Sequence, residues 1–145
     1  MAEETVLVVI HPGAACAGAD ERLGDGSAVL RDALAAEIMA WQSDMVIIDC
    51  GLSAELQHYA LLGIAIDGAR DRGGRTVVRQ AVERGDPARW PDAVRAAVIG
   101  LGRHDPECLV TGAWRGNDEK HALDEIVEVL GRDRATISPN ALRLP

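Results

Sequence analysis

The chain has 145 residues, 48% of them hydrophobic and 26% charged, and a net charge of −8. That composition belongs to a globular chain and excludes intrinsic disorder, and no apolar run reaches the roughly 20 residues of a membrane helix. The acidic balance argues against nucleic acid as a partner, because affinity there rests on neutralising phosphates.

Met1-Ala2-Glu3-Glu4 is acidic and leads straight into an apolar run, which is not the pattern of a signal peptide. A cytoplasmic protein with no membrane association is expected. Cys16, Cys50 and Cys108 are widely spaced with no CxxC pair, so reduced thiols are expected rather than a disulfide framework. Charge is unevenly placed. Residues 1–60 carry ten acids against Arg22 and Arg31, whereas Arg70 to Arg103 hold eight arginines against four acids.

Thr5 to Ile10 is a continuous β-branched apolar run and reads as a strand buried on both faces. It stops at His11-Pro12-Gly13, and a loop rich in glycine and alanine runs on to Gly26. Ser27 is a good N-cap for a helix to about Trp41. Val29, Leu30, Ala33, Leu34, Ile38 and Trp41 supply its apolar face, with Arg31, Asp32 and Glu37 expected outside it.

Met45 to Ile48 repeats the buried-strand pattern and ends at Asp49-Cys50-Gly51. Ser53 can cap a helical stretch over 54–72, weakened at Gly63 and Gly68 and stopped by Gly73-Gly74. Residues 61–66 also admit a strand. Arg75 to Val82 alternates polar and apolar residues, so one of its faces is expected to be wet. Pro91 suits the first turn of a helix that turns Val94, Val98 and Leu101 inward.

Cys108-Leu109-Val110 is a third buried strand, expected to end at Thr111-Gly112. Asp118 is expected to cap a last helix carrying Ala122, Leu123, Ile126, Val127 and Leu130 inward, with Gly131 as its stop. Ala135-Thr136-Ile137 is a short final strand.

Strand and helix thus alternate along residues 1–145 without repeat or linker, as one α/β domain built from right-handed βαβ units. The second strand is wholly apolar and belongs in the interior of the sheet. The third is half polar and the fifth is short, so both suit edges. Order 3-2-1-4-5 meets these conditions, whereas order 2-1-3-4-5 puts the apolar second strand at an edge. The fold class expected is therefore a doubly wound, Rossmann-like, mostly parallel five-stranded sheet with helices on both faces.

In such sheets ligands bind beyond the carboxyl ends of the strands, where the order reverses. Here that crevice falls between the first and fourth strands. His11 and Asp49 end their strands and are the acid/base candidates. Gly13 in the first loop, and Trp114, Arg115 and Asn117 after the fourth strand, are the ligand-binding candidates. Trp114 and Arg115, expected in a glycine-flanked turn, offer an aromatic plane and a guanidinium fork for an anion.

Four familiar chemistries fail. Cys16 to Arg22 has the CX5R spacing of cysteine phosphatases, but Asp20 and Glu21 fall inside the would-be phosphate cradle and repel it. Neither GxGxxG nor the Walker lysine spacing occurs, so a dinucleotide or P-loop site is unsupported and the residues name no cofactor. His11, Cys16, Asp20, Asp49 and Cys50 lack the close spacing of zinc ligands, and there is no GxSxG elbow.

His58, His104 and His121 lie in polar stretches and look incidental. The residues therefore point to a small polar or anionic ligand at the crevice, handled by a hydrolase, a transferase or a plain binder. The alternative is a non-catalytic interaction or regulatory module, with a protein partner on the acidic first third or the arginine-rich middle. Nothing in the residues specifies the oligomeric state.

Overall fold

β1 (Val6–Ile10) and β2 (Met45–Asp49) are the apolar runs of the sequence, and every side chain of β1 is fully buried. Burying each such side chain contributes roughly 1.5–3 kcal/mol, so these strands anchor the sheet. The computed structural model describes residues 5–10, 27–49, 60–83 and 86–144. The expectations placed on His11, Gly13, Cys16, Asp20, Cys50, Ser53 and His58 lie outside the described residues.

Around β1 and β2 stand α1 (Ser27–Ala40), α2 (Ala60–Asp67), β3 (Val77–Ala81), α3 (Trp90–Gly100), β4 (Cys108–Arg115), α4 (Gly116–Leu130), β5 (Ala135–Ile137) and β6 (Leu142–Leu144). Strand order is β3-β2-β1-β4-β5 and all pairings are parallel, as the strand compositions predict. Leu7, Val9, Met45 and Ile47 pack under α1 and α2 on one face. Val6, Val8, Val46, Ile48 and Val110 pack under α3 and α4 on the other. Alternating side chains of strands buried on both sides divide into two cores in this way. Among the described residues, no helix is long and apolar enough to cross a membrane.

Several local expectations are corrected. Residues 61–66 are helical, within α2, and that helix ends at Asp67 rather than near 72. β4 does not stop at Thr111-Gly112 but continues through Trp114 and Arg115, which therefore lie in a strand and not in a turn. Its extension pairs with β6, a strand with no advance signal, in the register Ala113↔Leu142 and Arg115↔Leu144. Asp118 does not cap α4. The N–H of Arg115 donates instead to Glu119 Oε1 at 2.8 Å, which ties the end of β4 to the first turn of the helix.

The arginine-rich middle is partly structural. Arg75 is 5% exposed; its guanidinium donates to Trp41 O at 2.7 Å and twice to Arg70 O, at 2.9 and 3.1 Å. Arg79 donates to Ile66 O and Ala69 O, carbonyls at and just past the end of α2. Cationic donors suit those carbonyls because the end of a helix leaves its acceptors unmatched. The half-polar composition of β3 thus fits an edge strand, as expected, with its Arg79 and the preceding Arg75 turned back onto backbone.

Cys108 is a free thiol, 3% exposed at the start of β4. Burial pushes its pKa up to about 11, against the opposing pull of Arg103 and Arg134. The unfolded chain loses this proton near the ordinary thiol value, so above it the unfolded state binds fewer protons than the native state. Stability from this group is complete below that value and falls as pH rises towards about 11. Urea unfolding of wild type and Cys108→Ala at intervals from pH 8 to 11 should show a decline that is steeper in wild type. Parallel curves would refute the buried neutral thiol.

Candidate functional site

The order reverses between β1 and β4, and the carboxyl ends of these two strands are unequal. The last row of β1 runs Ile48–Ile10–Gly112 across three strands. β2 ends one residue later, at Asp49, while β4 projects three residues further, to Arg115. Among the described residues this makes a step, with β4 standing past the last row of β1.

Gly112 makes the step possible. Its φ is +120°, and a Cβ built there would stand 2.0 Å from Ile10 O and 2.6 Å from Ile10 N. Only glycine combines this backbone conformation with so close an approach of two main chains. Past this kink β4 pairs with β6.

Among the described residues, the polar groups near the step are few. Thr111 is 1% exposed, and its Oγ1 has no hydrogen-bond partner among them. Arg31 is 3% exposed, against the expectation that it lies outside the apolar face of α1. It falls three, four and seven residues before Leu34, Ala35 and Ile38, which are all buried, so helical periodicity carries it inward. That spacing was the signal that could have found it; its charge alone argued the other way. A helix crossing from β1 to the parallel β2 runs antiparallel to both, which sets the first turns of α1 at this carboxyl edge.

Glu37 is likewise half-buried rather than outside. Its Oε2 accepts from Ser138 Oγ at 2.6 Å and from Asn140 Nδ2 at 3.0 Å, fastening α1 to the turn between β5 and β6.

Of the residues named from sequence, Asp49, Trp114 and Arg115 share the carboxyl edge, and Asn117 follows in the first turn of α4. Strands β2 and β4 flank β1, so their axes stand about 10 Å apart. The sheet faces divide these side chains. Trp114 is half-buried against the α3–α4 core, whereas the alternation of β2 assigns Asp49 to the α1–α2 face. Arg115 and Asn117 are exposed.

The N-terminus of α4 carries Asp118 and Glu119, and Glu119 already occupies one of the backbone donors there. A phosphate would meet like charge at that helix end. Among the described residues no three His, Cys, Asp or Glu side chains group as metal ligands do. Comparison with protein-family models, with curated proteins and with solved structures finds no match, so the chemistry of the edge rests on this chain's own residues.

Proposed function

We propose that this chain binds a small polar or anionic ligand at the carboxyl ends of β1, β2 and β4. The observation that supports the reading is the step at the order reversal. There, among the described residues, β4 stands past the last row of β1, with the buried Thr111 hydroxyl unsatisfied beside it. A buried hydroxyl without a partner is a cost that a ligand group or water removes.

In this reading Asp49 or His11 is the acid/base, and Gly13, Trp114, Arg115 and Asn117 contact the ligand. The activity is that of a hydrolase or transferase, or binding alone. For the competing reading, an interaction module using the acidic first third or the arginine-rich middle, one observation bears on the second surface. Arg75 and Arg79 spend their donors on backbone carbonyls and offer a partner little.

The test is a titration of isotope-labelled protein with inorganic phosphate and with adenosine monophosphate, following backbone amides. Shifts should cluster at Asp49 and over 111–117, and Arg115→Gln should weaken binding roughly tenfold, the loss of one charge-assisted hydrogen bond. Shifts confined to other surfaces, or an unchanged affinity in Arg115→Gln, would end the case for this site.

A further inference from the structure

At the amino edge of the sheet, opposite the step, the loop before β4 and the final turns of α3 and α4 enclose a cleft of about 390 Å³. That volume is at the small end of ordinary ligand pockets. Its apolar part is Val98 and Leu130, with Ile99 and Val129 standing 66% and 43% exposed at the rim. Such large aliphatic side chains left in water on two adjacent helices form a patch that association would cover.

The polar part is mainly cationic. Arg95, Arg103 and Arg134 line the cleft against one carboxylate, Asp105. The ion pairs of Arg134 are long, to Asp133 at 3.7 Å and to Asp105 at 3.8 Å. Neither is within hydrogen-bond distance. Arg134 Nε is buried and donates to no acceptor among the described residues. Arg103 and Arg134 both act electrostatically on the Cys108 thiol, so both guanidinium groups stand near the start of β4.

The helix ends decide what kind of anion fits. α3 and α4 turn their C-terminal carbonyls towards this edge, and those carbonyls repel a bare anion. A ligand that gains from the aliphatic wall offsets that repulsion; inorganic phosphate does not.

We infer that the amino-edge cleft binds an amphipathic organic acid, its carboxylate on the Arg134 and Arg103 side and its apolar body along Val98, Ile99, Val129 and Leu130. This site is separate from the carboxyl-edge step and stands whether or not that step binds a ligand. An aliphatic body supplies the affinity and the guanidinium groups supply the orientation.

The experiment titrates the labelled full chain with octanoate, acetate and inorganic phosphate in turn. Octanoate should shift amides over 103–108 and 130–134 in a saturable way. Acetate and phosphate should bind at least about tenfold more weakly, since they lack the body that the wall recognises. Arg134→Met should weaken octanoate roughly tenfold, and Ile99→Glu by a similar factor through like-charge repulsion at the rim. Ile99 is exposed, so its variant folds normally and decides the matter even if Arg134→Met does not. Ile64→Glu, on the exposed surface of α2, should change nothing. Equal affinity for acetate and octanoate, shifts centred on α2 or the carboxyl edge, or an Ile99→Glu variant that binds like wild type would each overturn the inference.

Discussion

Replacing Gly112 by alanine is expected to destabilise the protein by roughly 2–6 kcal/mol, adding the cost of a strained backbone to that of an overpacked contact. The added methyl would meet Ile10 O at 2.0 Å, and Ile10 C at 2.8 Å, in the middle of the β1–β4 pairing. Neither atom belongs to a flexible side chain that can step aside. Relief requires β4 to rotate out of its positive φ or to part from β1, and both break the ladder at the order reversal. Against a typical stability of about 5–15 kcal/mol the loss is large. Denaturant unfolding of the two proteins, compared at equal slope, measures it. A midpoint unchanged from wild type would mean that β4 is not kinked against β1 as described.

Arg75→Met is the second large effect, expected at about 2–4 kcal/mol. Methionine keeps much of the aliphatic volume and removes all three guanidinium hydrogen bonds at once. The carbonyls of Trp41 and Arg70 are then left short of donors at a nearly buried site, and hydrogen bonds from a charged donor are worth about 1.5–3 kcal/mol each before non-additivity. The pair Arg75 and Trp41 also ties the entry to β3 to the segment that enters β2. Arg75→Lys should recover only part of the loss, because one ammonium cannot reach both carbonyls in the planar fork of a guanidinium. If Arg75→Met unfolds within about 0.5 kcal/mol of wild type, the side chain is a surface group and its role as a tie between segments fails.

The strand order was legible because it follows from where apolar surface can be hidden. Val6–Ile10 and Met45–Ile48 have no polar face to show to water, so they must be flanked on both sides. Val77–Ala81 carries Arg79 and Gln80, and an edge costs it nothing. The inward faces of α3 and α4 were legible for the same reason, from Val94 and Val98 and from Leu123 and Ile126.

The site was legible only as an edge. Chain order puts Asp49, Trp114 and Arg115 at the carboxyl ends of strands, and the structure has them there. Whether such side chains converge depends on faces and on strand length, and strand length was misread at Thr111-Gly112. Glycine there looks like a terminator. It is instead a kink inside a longer strand, tolerated because Ile10 packs against the missing side chain.

Arg31 was expected outside the apolar face of its helix, and Arg75 in an alternating run with one wet face; both are buried. A charged residue on a helix or loop reads as exposed until a partner is known, and Arg75's partners lie 5 and 34 residues away along the chain. Hydrophobic periodicity, a property of neighbouring residues, thus determined the fold class, the strand order and most of the core. The kink at Gly112, the pairing of β6 with β4, the carbonyls that receive Arg75 and Arg79, and the amino-edge cleft were decided by tertiary structure alone. Each depends on which distant backbone atoms come within about 3 Å of one another, a quantity that local sequence pattern does not carry.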